Sequence, residues 1–270
     1  MNTSIWLLAG AQVFSIWVSV FSYRKKSVST SGFTAMLLIS ALFIWTEQLS
    51  LLTIVFLMFA SSSLLSKFKK SEKQHLKTVV EKHGARDYIQ ALANLGTATG
   101  LIVLNYFFPN DLMVVAAIGS IAAANADSWA SETGSLSTSK PVLITTFKPI
   151  PKGLSGGITL TGTLGGIAGA WFIVFSSILI LPLASSYSGN LNTMAIAVFL
   201  AGVFGLFLDS WLGAICQALY KNKDTYSFTE NPTGNTSLVK GVVWINNDLI
   251  NFISTVSGAV VAGSIYYSLV

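Results

Sequence analysis

The sequence predicts an all-α integral membrane protein, a bundle of about eight transmembrane helices in a single domain spanning residues 1–270. Two observations carry this fold class. Of the 270 residues, 52% are hydrophobic and 10% are charged, whereas about 25% of residues are charged in soluble domains. The basic residues, moreover, fall in alternate loops. The composition therefore excludes a water-soluble enzyme and a nucleic-acid-binding protein, in spite of the net charge of +5.

Eight apolar segments approach the length of about 20 residues that a membrane helix needs. They cover residues 3–21, 32–45, 49–66, 87–107, 111–131, 157–183, 192–219 and 250–269. The second segment is short and the fifth is partly alanine-rich, so counts of seven or nine stay open. The first segment has no positive charge before it and no small-residue cleavage site, which predicts a retained helix rather than a signal peptide.

The charges predict how the helices are oriented. All 16 lysine and arginine residues lie between alternate pairs of spans, in residues 24–26, 67–86, 140–152 and 221–240, and the other loops hold only Glu47 and Asp111. By the positive-inside rule the basic loops face the cytoplasm and both termini lie outside, in a multi-pass protein of the cell membrane. Within the second basic loop, residues 66–82 form either an amphipathic helix on the lipid surface or a solvated connector.

Sulfur- and imidazole-based sites are not indicated. The one cysteine, Cys216, excludes a disulfide framework and any cysteine-based zinc or iron–sulfur site. The two histidines, His75 and His83, lie in a lysine-rich segment without a ligand-like partner nearby.

Polar side chains enter four predicted spans, always towards the basic side. Such groups are costly inside a membrane and indicate function by default. Arg86, Gln90 and Asn94 share one helix face by their spacing. The others are Asn125, Asp127, Ser131 and Glu132 in the fifth span, Asp209 in the seventh, and Asn247, Asp248 and Asn251 in the eighth. For Gln90 and Asn94, hydrogen bonding between helices is an equally good interpretation. It is weaker for Asp127 and Asp209, because a buried carboxylate needs a cation or a proton.

A lysine- and glycine-rich run between the fifth and sixth spans predicts a phosphate site. Lys148 and Lys152 precede Gly153, Ser155, Gly156 and Gly157, which we expect to open a helix. Backbone N–H groups at a helix N-terminus bind phosphate, and lysines add charge. The Walker A spacing is absent. Facing the acidic helix ends, this run suits a polyphosphate bound to Mg²⁺. Further glycines in the sixth span, from Gly162 to Gly169, indicate close helix packing.

Five motifs in this order resemble the membrane family that contains plant phytyl-phosphate kinase and animal transmembrane protein 19. They are Arg86–Asn94, Asn125–Glu132, Lys148–Gly157, Leu208–Gln217 and Trp244–Asn251. More distantly, they are similar to CTP-dependent polyprenol and diacylglycerol kinases and to membrane cytidylyltransferases. The resemblance implies a prenyl-phosphate kinase, which transfers a phosphoryl group, with CTP as donor, to an isoprenoid monophosphate such as phytyl or geranylgeranyl phosphate.

The resemblance also implies a role for each motif residue. The Mg²⁺ ligands would be Asp127, Glu132, Asp209 and Asp248. The nucleotide phosphates would contact Lys148, Lys152, Gly153, Ser155, Gly156 and Gly157. The acceptor would contact Arg86, Gln90, Asn94, Asn125, Ser131, Asn247 and Asn251. Catalysis would fall chiefly to Asp127, Lys148, Lys152 and Asp209, while the match around Glu230 is only loose.

Two other functions stay open. A cytidylyltransferase that makes a CDP-lipid would use the same metal and triphosphate site. A lipid or isoprenoid transporter belongs to another class, but transporters usually place their polar site near the midplane between inverted repeats. Here the polar residues gather on one side, and the sequence shows no internal repeat. Oligomeric state and prenyl chain length cannot be inferred.

Overall fold

The computed structural model describes residues 5–69, 84–184, 187–232 and 234–270, which form a bundle of eight helices. These are α1 (Ile5–Arg24), α2 (Thr30–Trp45), α3 (Leu49–Lys67), α4 (Tyr88–Phe107), α5 (Asp111–Gly134), α6 (Leu160–Ala184), α7 (Leu191–Ile215) and α8 (Asn247–Leu269). Six of these described helices are long and apolar enough to cross a membrane; the exceptions are α2, which is shorter, and α4. The predicted polytopic helix bundle is confirmed.

Part of the second basic loop cannot be compared with the prediction. The segment for which an amphipathic helix or a connector was expected lies outside the described residues, except for residues 66–69. Residues 66 and 67 are the last two of α3. His75 and His83 also lie outside the described part of the chain.

Helix α5 forms the centre of the bundle. It contacts α3, α4, α6, α7 and α8, and every residue from 114 to 126 is buried. The alanine and glycine content of this span explains the packing, because small side chains let helix backbones approach closely. A Cβ atom added to Gly119 would lie 2.3 Å from the Ala262 Cβ and 2.8 Å from the Gly258 carbonyl oxygen. The span that was least leucine-like in sequence is therefore the most buried.

Helix α6 packs on α5 through its glycines, as the small-residue pattern predicted. An added Cβ at Gly165 would clash with the Thr133 side chain, and one at Gly169 would lie 3.0 Å from the Asn125 carbonyl oxygen. This close contact fixes the C-terminal half of α5, which carries the polar motif, against the start of α6.

The glycine-rich run does not open a helix, which corrects the sequence prediction. Gly153 and Gly156 adopt φ angles of +89° and +83°, a region that helices exclude and that glycine tolerates. The chain therefore turns, and strand β2 (Gly157–Ile158) pairs antiparallel with β1 (Val142–Leu143) before α6 begins.

The seventh span is also shorter than predicted, because α7 ends at Ile215 rather than residue 219. The Lys240 Nζ donates to the carbonyl oxygens of Gly213 at 3.1 Å and Ala214 at 2.7 Å, which caps the helix C-terminus. Burial lowers the pKa of Lys240, and the nearby Glu230 opposes this shift. Beyond the cap, β3 (Leu219–Asn222) lies between β4 (Phe228–Thr229) and β5 (Thr236–Lys240) in an antiparallel sheet that hydropathy did not predict.

Candidate active site

The polar helix ends surround one cavity of about 950 Å³. Its walls come from the C-terminal halves of α3, α5 and α7 and the N-terminal halves of α4, α6 and α8. Odd-numbered helices end, and even-numbered helices begin, at the end of the bundle that carries the basic loops. Lys25, Lys26 and Lys67 from these loops also line the cavity. The sequence pointed to none of these three lysines as site residues, since their charge also served to predict orientation.

Most of the residues singled out from the sequence line this cavity. They are Arg86, Gln90, Asn94, Asp127, Ser131, Glu132, Lys152, Gly153, Ser155, Gly156, Gly157, Asp209, Asn247 and Asn251. The structure thus brings together side chains that are as much as 165 positions apart in sequence, from Arg86 to Asn251.

Asn125, Lys148 and Asp248 do not line the cavity. Lys148 is exposed on the loop before the glycine turn. Asn125 is fully buried, where its Nδ2 donates to the Gly169 carbonyl oxygen at 2.8 Å and its Oδ1 accepts from the Ser62 hydroxyl at 3.4 Å. Asp248 is buried in the first turn of α8, where a negative charge interacts favourably with the helix dipole. These geometries indicate a packing role for Asn125 and a position outside the cavity, near the N-terminus of α8, for Asp248.

An aspartate pair forms the acidic wall of the cavity. Asp127 on α5 and Asp209 on α7 lie within hydrogen-bonding contact of each other. Oδ2 of Asp209 is buried and has no hydrogen-bond partner among the residues that the structure describes. Two adjacent carboxylates are stable only with a proton or a cation between them. The pair offers the hard oxygen ligands that Mg²⁺ prefers.

The pair is not extended into a larger protein ligand set. In the described parts of the chain, no three aspartate, glutamate, histidine or cysteine side chains are grouped so that they could hold a metal ion. The four-carboxylate set expected from the sequence is therefore not assembled in this structure. Two carboxylates still fit Mg²⁺, because this ion commonly takes one or two from the protein and the rest from phosphates and water.

Arg86 is a half-buried cation whose backbone is hydrogen-bonded to the loop between α1 and α2. Its backbone N–H donates to the Ser27 carbonyl oxygen at 3.0 Å, and its own carbonyl oxygen accepts from the Ser29 N–H at 2.9 Å. The guanidinium lies over the Phe59 ring, 5.6 Å from its centroid. Burial lowers the pKa of Arg86, and the carboxylate of Glu132 opposes this shift. Glu132 also accepts a hydrogen bond from Ser66, so it belongs to the Arg86 wall.

Glu230 organises the glycine turn. Only 5% of this residue is exposed, and its Oε1 accepts from the Ser155 backbone N–H at 2.7 Å. The Ser155 amide, expected to bind phosphate, thus bonds a carboxylate instead. Lys152 lines the cavity and donates from its Nζ to the Ser137 carbonyl oxygen. The resemblance around Glu230 was only loose, because its neighbours come from separate segments: Ser155 in the glycine turn, Asp209 on α7 and Lys240 on β5.

Comparisons with known proteins agree with a polytopic membrane protein. The family described as "Integral membrane protein DUF92" matches residues 13–259. Protein PGR of Arabidopsis thaliana is 29% identical over 262 residues, which cover 90% of this chain and 91% of the plant protein. An uncharacterized membrane protein of Methanocaldococcus jannaschii is 32% identical over 177 residues, which cover 64% of this chain and 61% of that protein. Protein VTE6, chloroplastic, of Arabidopsis thaliana is 27% identical over 146 residues, which cover 54% of this chain and 35% of the plant protein. No solved structure matches the chain.

Proposed function

Because this chain belongs to the DUF92 family of integral membrane proteins, as its five motifs led us to expect, we propose that it is a prenyl-phosphate kinase. The observation that carries the proposal is the Asp127–Asp209 pair, with an Asp209 oxygen that has no partner among the described residues, in a cavity that half-buried Arg86 and several lysines also line. A site for two phosphorylated substrates requires carboxylates that hold a cation and basic side chains that bind the phosphates.

The cavity divides naturally between the two substrates. Lys152 and the turn that follows it lie beside the start of α6, and we assign the nucleoside triphosphate, with CTP as the preferred donor, to this wall. Arg86, which precedes α4, and Gln90 and Asn94, in the first turns of α4, also line the cavity, and we assign the acceptor phosphate to them together with Asn247 and Asn251. The Oδ1 of Asn251 is buried with no partner among the described residues, and as an acceptor it would take a hydrogen bond from a bound water or a protonated phosphate oxygen. Lys148, Asn125 and Asp248 have no place in this assignment.

The reaction needs positioning more than covalent help from the protein. An oxygen of the lipid monophosphate attacks the γ-phosphorus of the nucleotide, the bond from that phosphorus to the β–γ bridging oxygen breaks, and the nucleoside diphosphate leaves. The acceptor is already anionic, so no general base is required. Asp127 and Asp209 fit Mg²⁺, which when bound would neutralise charge on the nucleotide phosphates. Lys152 and Arg86 hold the two anionic groups in contact despite their repulsion.

The membrane orientation that we propose follows from the basic loops. Lys25, Lys26, Lys67 and Lys152 all lie at the cavity end of the bundle, so the positive-inside rule places this end in the cytoplasm. Cytoplasmic nucleoside triphosphate would then reach the cavity directly, and the lipid substrate would enter from the bilayer.

Product analysis with purified protein tests the proposal. The protein would be incubated with Mg²⁺, geranylgeranyl or phytyl monophosphate, and each of the four nucleoside triphosphates, with Asp209→Asn as the inactive control. We expect lipid diphosphate and nucleoside diphosphate from the wild type alone. A CDP-lipid with pyrophosphate would instead identify a cytidylyltransferase. No product, together with lipid flux in liposomes lacking nucleotide, would overturn the proposal in favour of a transporter.

A further inference from the structure

A second, smaller cavity lies between α2, α3 and α4. Its volume is about 70 Å³, and most of its walls are apolar. The apolar lining side chains are Val28, Met36, Ile39, Leu52, Val55, Phe56, Met58, Phe59, Ala91 and Leu95. We call this cavity the apolar slot. Cavities with such walls stay dry and accept hydrocarbon rather than water.

The apolar slot adjoins the polar cavity. Arg86, Gln90, Asn94 and Ser128 line both of them. Arg86 stands at this junction, where its guanidinium lies against the ring of Phe59, a slot residue. A half-buried cation between an apolar slot and a polar cavity matches an amphiphilic anion, with its charged group beside the arginine and its hydrocarbon in the slot.

We propose that the apolar slot binds the hydrocarbon next to the phosphate of the acceptor lipid. This inference rests on the proposed kinase function and adds the part of the fold that selects the acceptor, namely α2, α3 and the start of α4. The slot has about half the volume of a ~150 Å³ apolar cavity that accepts benzene. It therefore takes one short branched segment, the isoprene unit nearest the phosphate, while the rest of the chain extends beyond it.

The position of Ala91 offers a direct test. Ala91 lines the slot from α4, and it does not line the polar cavity. Ala91→Leu would fill the slot with hydrocarbon. Ala9→Leu is the matched control, because Ala9 is exposed on α1 and lines neither cavity.

We expect Ala91→Leu to raise the KM for geranylgeranyl monophosphate about tenfold or more, since each lost methylene contact is worth roughly fourfold in binding. The KM for the nucleotide should stay within about twofold of the wild type. Ala9→Leu should change neither constant. An unchanged lipid KM in a folded Ala91→Leu variant, or an equal rise in both constants, would overturn the inference.

Photolabelling separates this inference from the kinase proposal, because it needs no turnover. The probe is a prenyl monophosphate with a diazirine on the isoprene unit next to the phosphate, irradiated without nucleotide. We expect labelled peptides from α2 and α3, around Met36, Phe56 and Phe59. Labels confined to α5–α8 in a protein that does make lipid diphosphate would overturn the slot alone. Labelling of the slot without diphosphate formation would support the slot and refute the kinase. Equal competition by a diacyl phosphatidic acid would overturn the prenyl assignment.

Discussion

Gly156 lies where the glycine turn meets helix α7, and its replacement by alanine tests whether this contact shapes the site. Its φ is +83°, and an added Cβ would lie 2.5 Å from both the Cα and the Cβ of Ala214. Gly234 has the same φ of +83°, but no heavy atom of the described residues lies within 4 Å of such a Cβ. The two alanine variants therefore share the backbone strain and differ in the steric clash.

The expected magnitudes follow from this comparison. Left-handed backbone costs a non-glycine residue about 1–2 kcal/mol, and overpacking adds about 1–3 kcal/mol. We expect Gly234→Ala to lose about 1–2 kcal/mol of stability and Gly156→Ala about 2–5 kcal/mol. At about 2–4 °C per kcal/mol, the melting temperature in detergent should fall by about 2–8 °C for Gly234→Ala and by about 4–20 °C for Gly156→Ala.

Thermal unfolding followed by tryptophan fluorescence provides the assay, with kinase activity measured well below both transitions. Gly156→Ala should also lose most of its activity while folded, because the turn must move away from Ala214. Gly234→Ala should keep its activity. Equal melting temperatures for the two variants would show that an added Cβ at Gly156 causes no clash with α7, which contradicts the steric argument.

Three further substitutions test individual side chains. Lys152→Ala should raise the KM for the nucleotide about tenfold. Lys148→Ala should change this KM less than about twofold, because Lys148 lies outside the cavity. Similar kinetics for the two variants would contradict the assignment of Lys152 to the nucleotide. Asn125→Ala should cost about 1 kcal/mol of stability through its lost bond to Gly169 and leave both KM values unchanged; an altered KM at an unchanged melting temperature would speak against a packing role. Glu230→Ala should lower the melting temperature more than Glu230→Gln, which keeps an oxygen for the Ser155 N–H, and equal losses would exclude that bond as the cause.

The helices and the polar end of the bundle were predictable because both depend on local sequence. A run of about 20 apolar residues specifies a membrane helix by itself, and the loop charges show which ends lie on the same side. Asp127 and Asp209 could therefore be expected at one end, each on its own helix. Their direct contact depends on the close packing around α5, which no single segment encodes.

The loops were predicted less well because their structure depends on distant partners. The run from Gly153 to Gly157 has the composition of a phosphate-binding helix start, but positive φ angles and pairing with β1 make it a turn and a strand. Lys148 and Lys152 are equivalent in sequence, four positions apart, and only the folded loop shows that one of them lines the cavity. Glu230 was matched only loosely, because its burial depends on a small sheet with little hydropathy signal.

The most direct test of the account follows each phosphorus atom of the donor. Purified protein with Mg²⁺ and geranylgeranyl monophosphate would receive the preferred nucleoside triphosphate, radioactively labelled at either the γ- or the α-phosphorus, and the extracted lipid would be counted. We expect label from the γ position to enter the lipid as a diphosphate, while label from the α position stays in the released nucleoside diphosphate. Transfer of the α label into the lipid, with release of pyrophosphate, would contradict this expectation.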